Sequence, residues 1–163
     1  MSKMPYVRQT DQENTRKFLG SKVTFLVNGD DTDGQYTVLH FHEQKGLEPP
    51  PHIHYLEDEA FYVLEGEITY YIQGEAVHAT PGTYVYAPRG IEHTFSLQTE
   101  EAKVLVTVYP SGFEQFVKEL SVPLSNEAQP KPAGPPSEEE VKKLVTTAAK
   151  YGIDIRVPHP KQP

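Results

Sequence analysis

The chain contains no cysteine, so disulfides, thiolate metal sites and a cysteine nucleophile are all excluded. It also lacks any run of 18 apolar residues that would read as a membrane-spanning helix. The opening residues, Met1-Ser2-Lys3-Met4-Pro5, lead into a charged stretch without the apolar segment of a signal peptide. Basic residues are in short supply: 15 Lys and Arg stand against 23 Asp and Glu, a formal charge of −8. That balance repels phosphate backbones and anionic membranes, and no local basic patch offsets it. The expected partners are small molecules, with no nucleic acid and no membrane, and the expected location is cytoplasmic.

What is present is a β pattern. A length of 163 residues suits one domain, which at that size buries roughly 70% of its unfolded surface. From Lys22 to about Val108, short β-rich runs alternate with turn signals. The spacing predicts strands over Val23–Val27, Tyr36–Phe41, Ala60–Leu64, Ile68–Ile72, Ala76–Thr80, Tyr84–Ala87, His93–Leu97 and Val104–Val108. Glu65-Gly66 reads as a tight hairpin and Gln73-Gly74 as a second glycine-centred turn, which implies antiparallel neighbours. Many short antiparallel strands bury one face each and lose their edges by closing, so the expected class is all-β, an antiparallel β-barrel or jelly roll.

The flanks differ in texture. Residues 1–21 form a polar N-terminal segment in which Thr10-Asp11-Gln12-Glu13 has the composition to open a short helix. Residues 22–110 hold the barrel, and residues 111–163 hold C-terminal helices, a Pro-rich linker and a tail. Phe113–Leu120 reads as a short helix, and residues 122–136, with five prolines and a glycine, as a linker or strap. Ser137-Glu138-Glu139-Glu140 is a capping box, followed by Val141, Leu144, Val145 and Ala148 on one helical face and Gly152 as a stop. That helix has too little apolar surface to stand alone, so it is expected to pack on the barrel or on a partner subunit.

Chemistry concentrates in one stretch, Gly46 to Gly66. His52 and His54, at i and i+2 on extended chain, point to one face with Cα atoms about 6.5–7 Å apart, close enough to share one ion. A carboxylate five residues on, past a short turn, can return on the adjoining strand. Alone, His-x-His is more often an exposed strand face; His40 and His42 have the same spacing without a following carboxylate and glycine, and read as ordinary strand residues, as do His78 and His159.

A second stretch changes that weighting. Gly46, His52, His54, Glu59 and Gly66 meet the pattern G-x5-H-x-H-x3/4-E-x6-G, and Gly82, Pro88, Gly90 and His93 meet G-x5-P-x-G-x2-H. These nine residues resemble the two motifs of the cupin superfamily, with Leu97 standing where that family often has Asn. Nine matches among residue types each used at about 5% arise by chance at about 10⁻¹² per placement. A spacing of three would select Asp58, but the six-residue gap to Gly66 fits only Glu59, leaving Glu57 and Asp58 as solvated turn charges or outer partners. The resemblance implies that His52, His54, Glu59 and His93 hold one divalent transition metal per chain (Fe, Mn, Ni, Co or Zn). Three neutral imidazoles and one carboxylate leave such an ion net positive and able to bind an anionic enolate. By strand alternation Phe61 and Val63 share the face of Glu59, and Phe95 that of His93, so these three are expected as apolar pocket walls as well as core.

The likeness extends to the quercetin 2,3-dioxygenase-like single-domain cupins, through Val23–Val27, the Pro-Pro-Pro-His-Ile-His run, Tyr-Pro-Ser-Gly-Phe-Glu-Gln-Phe and the segment Ala148–Ile155. It implies a metal-dependent dioxygenase acting on a flavonol or similar enol with O2, in which Glu59 serves as both ligand and catalytic base. It also implies a homodimer, since the barrel faces and the 137–150 helix present apolar surface. Two other classes stay open: a metal-dependent isomerase or hydrolase of a small metabolite, which would want Arg or Lys in its pocket where only Arg89 lies near the motifs, and a non-catalytic metal- or ligand-binding cupin.

Overall fold

The computed structural model describes residues 3–124 and 135–157. Its strands, numbered in chain order, form two antiparallel sheets. The first contains β1 (Thr15–Phe18), β2 (Ser21–Val27), β3 (Thr37–Gln44), β5 (Asp58–Glu65), β8 (Tyr84–Ala87), β10 (Glu101–Tyr109) and β11 (Ser121–Pro123), in the order β11-β1-β2-β3-β10-β5-β8. The second contains β4 (His52–His54), β6 (Ile68–Ile72), β7 (Glu75–Ala79), β9 (His93–Leu97) and β12 (Ile153–Ile155), in the order β12-β4-β9-β6-β7. The class is all-β, with a jelly roll of two facing sheets in place of a closed hydrogen-bonded barrel.

Alternation builds the core between the sheets. On β3 the side chains of Leu39 and Phe41 point in, on β5 those of Phe61 and Val63, and on β10 those of Val104, Val106 and Val108. Facing them from β6 and β9 are Ile68, Tyr70 and Leu97. Each such side chain contributes roughly 1.5–3 kcal/mol when fully buried.

Glu65-Gly66 is not a hairpin. β5 pairs with β10 and β8, whereas β6 pairs with β7 and β9. The chain therefore arches from one sheet to the other at Gly66, which has φ +80° and lies against the carbonyl of Glu101 and the Cα of Ala102. No side chain fits there, so the glycine marks a close backbone approach. Gln73-Gly74 is a true hairpin: both residues have positive φ, and Ile72 pairs with Glu75 across the two-residue turn. Every connection between β3 and β10 except this hairpin changes sheet, and this weaving brings residues distant in sequence to one end of the core.

Regular structure also starts earlier than the sequence pattern suggests. Thr10–Glu13 forms no helix; the Asp11 carboxylate accepts the backbone N–H of Asn14 at 3.0 Å and closes a turn that feeds β1. Of residues 122–136, Val122 and Pro123 pair with Lys17 and Arg16 of β1, while 125–134 lie outside the described residues. Helix α1 (Phe113–Leu120) matches its predicted bounds. Helix α2 (Glu138–Lys150) opens on the predicted capping box, Ser137 Oγ accepting from Glu140 N and Glu140 from Ser137 N. Its Ala148 is buried and Leu144 packs against the same core, so α2 sits on its own sheets. Among the described residues no helix is long and apolar enough to cross a membrane.

Gly66→Ala should destabilise the fold by at least about 2 kcal/mol, because the added methyl meets backbone on a left-handed residue. Gly74→Ala, also at positive φ but with open space around its Cα, should cost about 1 kcal/mol. Urea denaturation of the two variants measures the difference.

Candidate metal centre

Both sheets contribute to the site. β4 carries His52 and His54, β9 begins with His93, and His52 is in register with His93. Glu59 stands near the start of β5 in the opposite sheet. Backbone bonds fix the frame: Gly90 N donates to the His54 carbonyl at 2.7 Å, and Tyr55 N to the Gly152 carbonyl at 2.9 Å. On its other side β4 is paired by β12, with Ile153 opposite His54 and Ile155 opposite His52. The four expected ligands are brought together, one donor atom from each lying within 4.8 Å of all the others. His54, Glu59 and His93 are buried, and His52 is partly accessible.

Hydrogen bonds around the rings settle which nitrogen faces inward. His52 Nδ1 lies 2.9 Å from the Pro50 carbonyl and His93 Nδ1 3.3 Å from the Ile91 carbonyl. A carbonyl only accepts, so each Nδ1 carries the proton. His54 Nδ1 donates to the Glu57 carboxylate at 2.8 Å, and Glu57 is itself buried. All three rings therefore turn Nε2 toward the cluster, the tautomer a metal needs. His54 Nε2 and His93 Nε2 stand 3.2 and 2.8 Å from Glu59 Oε2. Yet Glu59 Oε2 and His93 Nε2 are both buried without a hydrogen-bond partner, since their contact lacks hydrogen-bond alignment. Burying such atoms unpaired is costly. A divalent ion, bound at about 2.1 Å, would give all four donors a partner, so the residues present fit a metal.

Electrostatics agree with a tightly coupled cluster. Burial pushes the Glu59 carboxyl up, but the His54, His93 and His52 rings outweigh it and hold it down to about 2. Burial, reinforced by His93 and His54, drops His52 to about 3, keeping that ring neutral. Burial also acts to lower His54, but Glu59 and Glu57 outweigh it and raise that ring.

The cluster opens on a cavity of about 770 Å³, within the usual range for small-molecule sites. Phe61 and Phe95 line it as expected from their strand faces; Val63 does not. Val63 is 0% exposed, wholly enclosed by the packed core, so it has no surface left to give a pocket. Sequence reasoning missed several lining residues: Glu43 and Tyr70 on neighbouring strands, and Phe113 of α1, whose ring sits 5.2 Å from that of His54. Glu43 and Tyr70 follow from strand alternation once the register is known. Asp58 and Arg89 form a two-pronged ion pair, 3.0 and 3.1 Å, outside the cluster; Arg89 also bonds the Tyr109 carbonyl and so pins its turn. His40 and His42 lie on β3 away from the cluster, His78 pairs with Glu67 at 3.3 Å on the surface, and His159 lies outside the described residues.

Glu57→Ala should therefore weaken divalent-metal affinity by about 10–100-fold, because His54 loses the partner that sets its tautomer and aim. Asp58→Asn, which touches only the Arg89 turn, should change it far less. Competition against a chromogenic chelator reads both.

Residues 39–109 match the Cupin domain family. No curated protein matches the chain. Among solved structures, KdgF from Halomonas sp. is similar with TM-score 0.57 and 18% identity, covering 64% of this chain and 94% of its own. A predicted oxalate decarboxylase from Thermotoga maritima gives TM-score 0.57 and 17% identity, over 64% of this chain and 99% of that one. The Streptomyces PAC13 variant with uridine gives TM-score 0.55 and 22% identity, over 71% and 88%. At these identities the likeness is one of fold. The family match is to residues 39–109, and what these solved structures share with the chain is the jelly-roll fold.

Proposed function

We propose that the chain is a metal-dependent dioxygenase of quercetinase type, acting on a flavonol or similar enol with O2. The observation that carries this reading is the set of three imidazoles with tethered Nδ1 atoms, their Nε2 atoms converging with Glu59 at the wall of a largely apolar cavity. A divalent transition metal bound there would supply Lewis acidity toward an enolate oxygen and open positions for small ligands.

The chain's own residues supply the rest. Phe61, Phe95 and Phe113 offer flat apolar faces to an aromatic substrate and exclude water from the reacting end. Glu59 is the only cluster carboxylate, and its oxygen is positioned to take the proton of a substrate hydroxyl brought to the site. A carboxylate held as low as Glu59 is a weak base, so it acts only once its contacts loosen as substrate arrives. Among the described residues Lys143 is the one Lys or Arg in the cavity wall. A phosphorylated or multiply charged metabolite would want more, so the walls favour an aromatic enol over the polar substrates of an isomerase or hydrolase.

We also propose a homodimer, now resting on the sheet and not on α2, whose apolar side is already used. Tyr84 and Tyr86 of the edge strand β8, with Tyr62 beside them, expose aromatic surface at 60%, 49% and 42%. A two-fold contact through that edge would cover it. Sedimentation at high concentration should give a dimer, and Tyr84→Lys should shift it toward monomer.

Two substitutions test the enzyme. His93→Ala should leave the fold intact, held by hydrophobic burial, and should empty the site of metal. Glu59→Gln keeps three imidazoles, so metal should bind more weakly yet measurably, while turnover of a flavonol per bound ion should fall by about 10²–10⁴. Asp58→Asn should be mild by comparison. Oxygen consumption at saturating metal, normalised to bound ion, reads the contrast; no turnover of any enol by the parent protein ends the oxygenase reading.

A further inference from the structure

The cavity has a second polar feature remote from the metal cluster. Glu43, on β3, lines it and is 8% exposed. Strand register places it well away from Glu59. Glu59 lies level with Val108 and Thr37, and Glu43 is six residues further along β3, about 20 Å of strand path. The lining side chains of the rows between are apolar: Phe61 and Val106, then Val104 and Phe41. Tyr70 reaches in from the opposite sheet, its ring 4.8 Å from Phe61, and its hydroxyl is pushed up by burial and by the carboxyls of both Glu43 and Glu59. The lining thus carries polar groups toward both ends of these rows, the cluster at one and Glu43 with Glu48 at the other, with rings between.

Glu43 is only half satisfied. Oε2 accepts from Ser21 Oγ, but Oε1 has no hydrogen-bond partner among the described residues, and no cationic side chain pairs with either oxygen there. Glu48, the other carboxylate at this end, is by contrast fully engaged: its two oxygens accept from Leu97 N and Gly46 N. A carboxyl nine-tenths buried, uncompensated and facing a cavity is costly to keep for packing alone. Burial pushes it up to about 7 against the opposing bond from Ser21, so near neutrality it can both donate and accept. That suits an uncharged hydroxyl better than a phosphate or carboxylate.

We propose that Glu43 and Ser21 form a second ligand subsite, which takes a hydroxyl at the far end of an elongated, mostly apolar molecule whose other end meets the metal cluster. This rests on the metal-centre reading above and narrows its substrate class. A compact enol would leave Glu43 idle, whereas one lengthened by a hydroxyl-bearing ring, chain or sugar would span the cavity.

The test uses metal-loaded protein and two series of alkyl hydroxamates of graded length, one ending in methyl and one in hydroxyl. The hydroxamate head seeks the metal, so the tail reports on the far end. At the spanning length the hydroxyl-ended probe should bind about tenfold tighter than its methyl twin, the gain of one hydrogen bond to a buried carboxyl. Shorter pairs should favour methyl. Glu43→Leu should abolish or invert the preference at the spanning length while still binding the methyl series, which also shows that the variant folds. Glu43→Gln should retain part of it. Binding of both series with no hydroxyl preference at any length, or a preference that survives Glu43→Leu, overturns the subsite and leaves the metal centre standing. Binding of the methyl series alone also overturns only the subsite, whereas failure of both series to bind overturns the metal centre with it.

Discussion

Everything at the functional end of this molecule depends on a convergence that hydrogen bonding does not satisfy. Three Nε2 atoms and one carboxylate oxygen are turned toward a common point, and the shortest contact among them, 2.8 Å between His93 and Glu59, is misaligned for a hydrogen bond. With the rings neutral and their Nε2 lone pairs inward, such an arrangement repels itself unless something positive sits within it. It is maintained because the far side of every ring is tied: two to backbone carbonyls and one to the buried carboxylate of Glu57. The tethers act through the fold, since the Pro50 and Ile91 carbonyls sit in the segments that lead into β4 and β9. Preorganisation here is a matter of where three N–H bonds go.

The sheet weave explains how residues spread across forty positions meet. Each crossing between sheets exchanges a residue's neighbours, so β4, β5 and β9 deliver ligands to one end of the core although none adjoins all the others. The metal-facing end is also closed by segments outside the family match at 39–109. β12 pairs with β4 directly behind His52 and His54, and α1 places Phe113 against His54. The ligands and most of the walls thus lie within the matched segment, while the rear support of β4 and the Phe113 wall come from this chain's flanks. That division is a physical reason why fold likeness at about 20% identity says little about substrate.

Much of this was legible in the residues. The bounds of β6, β8, β9 and α1, and the capping box of α2, follow from local periodicity and spacing, which short-range geometry enforces, and the four ligands follow from the resemblance to the two cupin motifs. What escaped was set at long range. Glu65-Gly66 has the composition of a hairpin, and only the packing of β10 beneath it makes it an arch. Thr15–Phe18 is a strand because β2 and β11 flank it, not because its own sequence alternates strongly. Val63 shares the face of Phe61, as alternation requires, yet its side chain is sealed in the core and gives the cavity no surface. Glu57 and Asp58 are adjacent acids, indistinguishable in sequence; one turns inward to His54 and the other outward to Arg89.

The cavity itself combines two demands that pull in opposite directions. Aromatic walls suit a flat apolar ligand, and a buried carboxyl without a cation opposes one. Within a small compass these could not both be satisfied by the same part of a ligand. Separation along about 20 Å of strand resolves the conflict, because each row of β3 and β10 faces a different segment of whatever lies between the sheets. On the proposed reading, the metal end would select for an ionisable oxygen, the middle for ring or chain, and the Glu43 end for an uncharged hydrogen-bonding group. Selectivity in such a site is distributed by strand register, so a shift of two residues on one strand moves an entire chemical preference by one row.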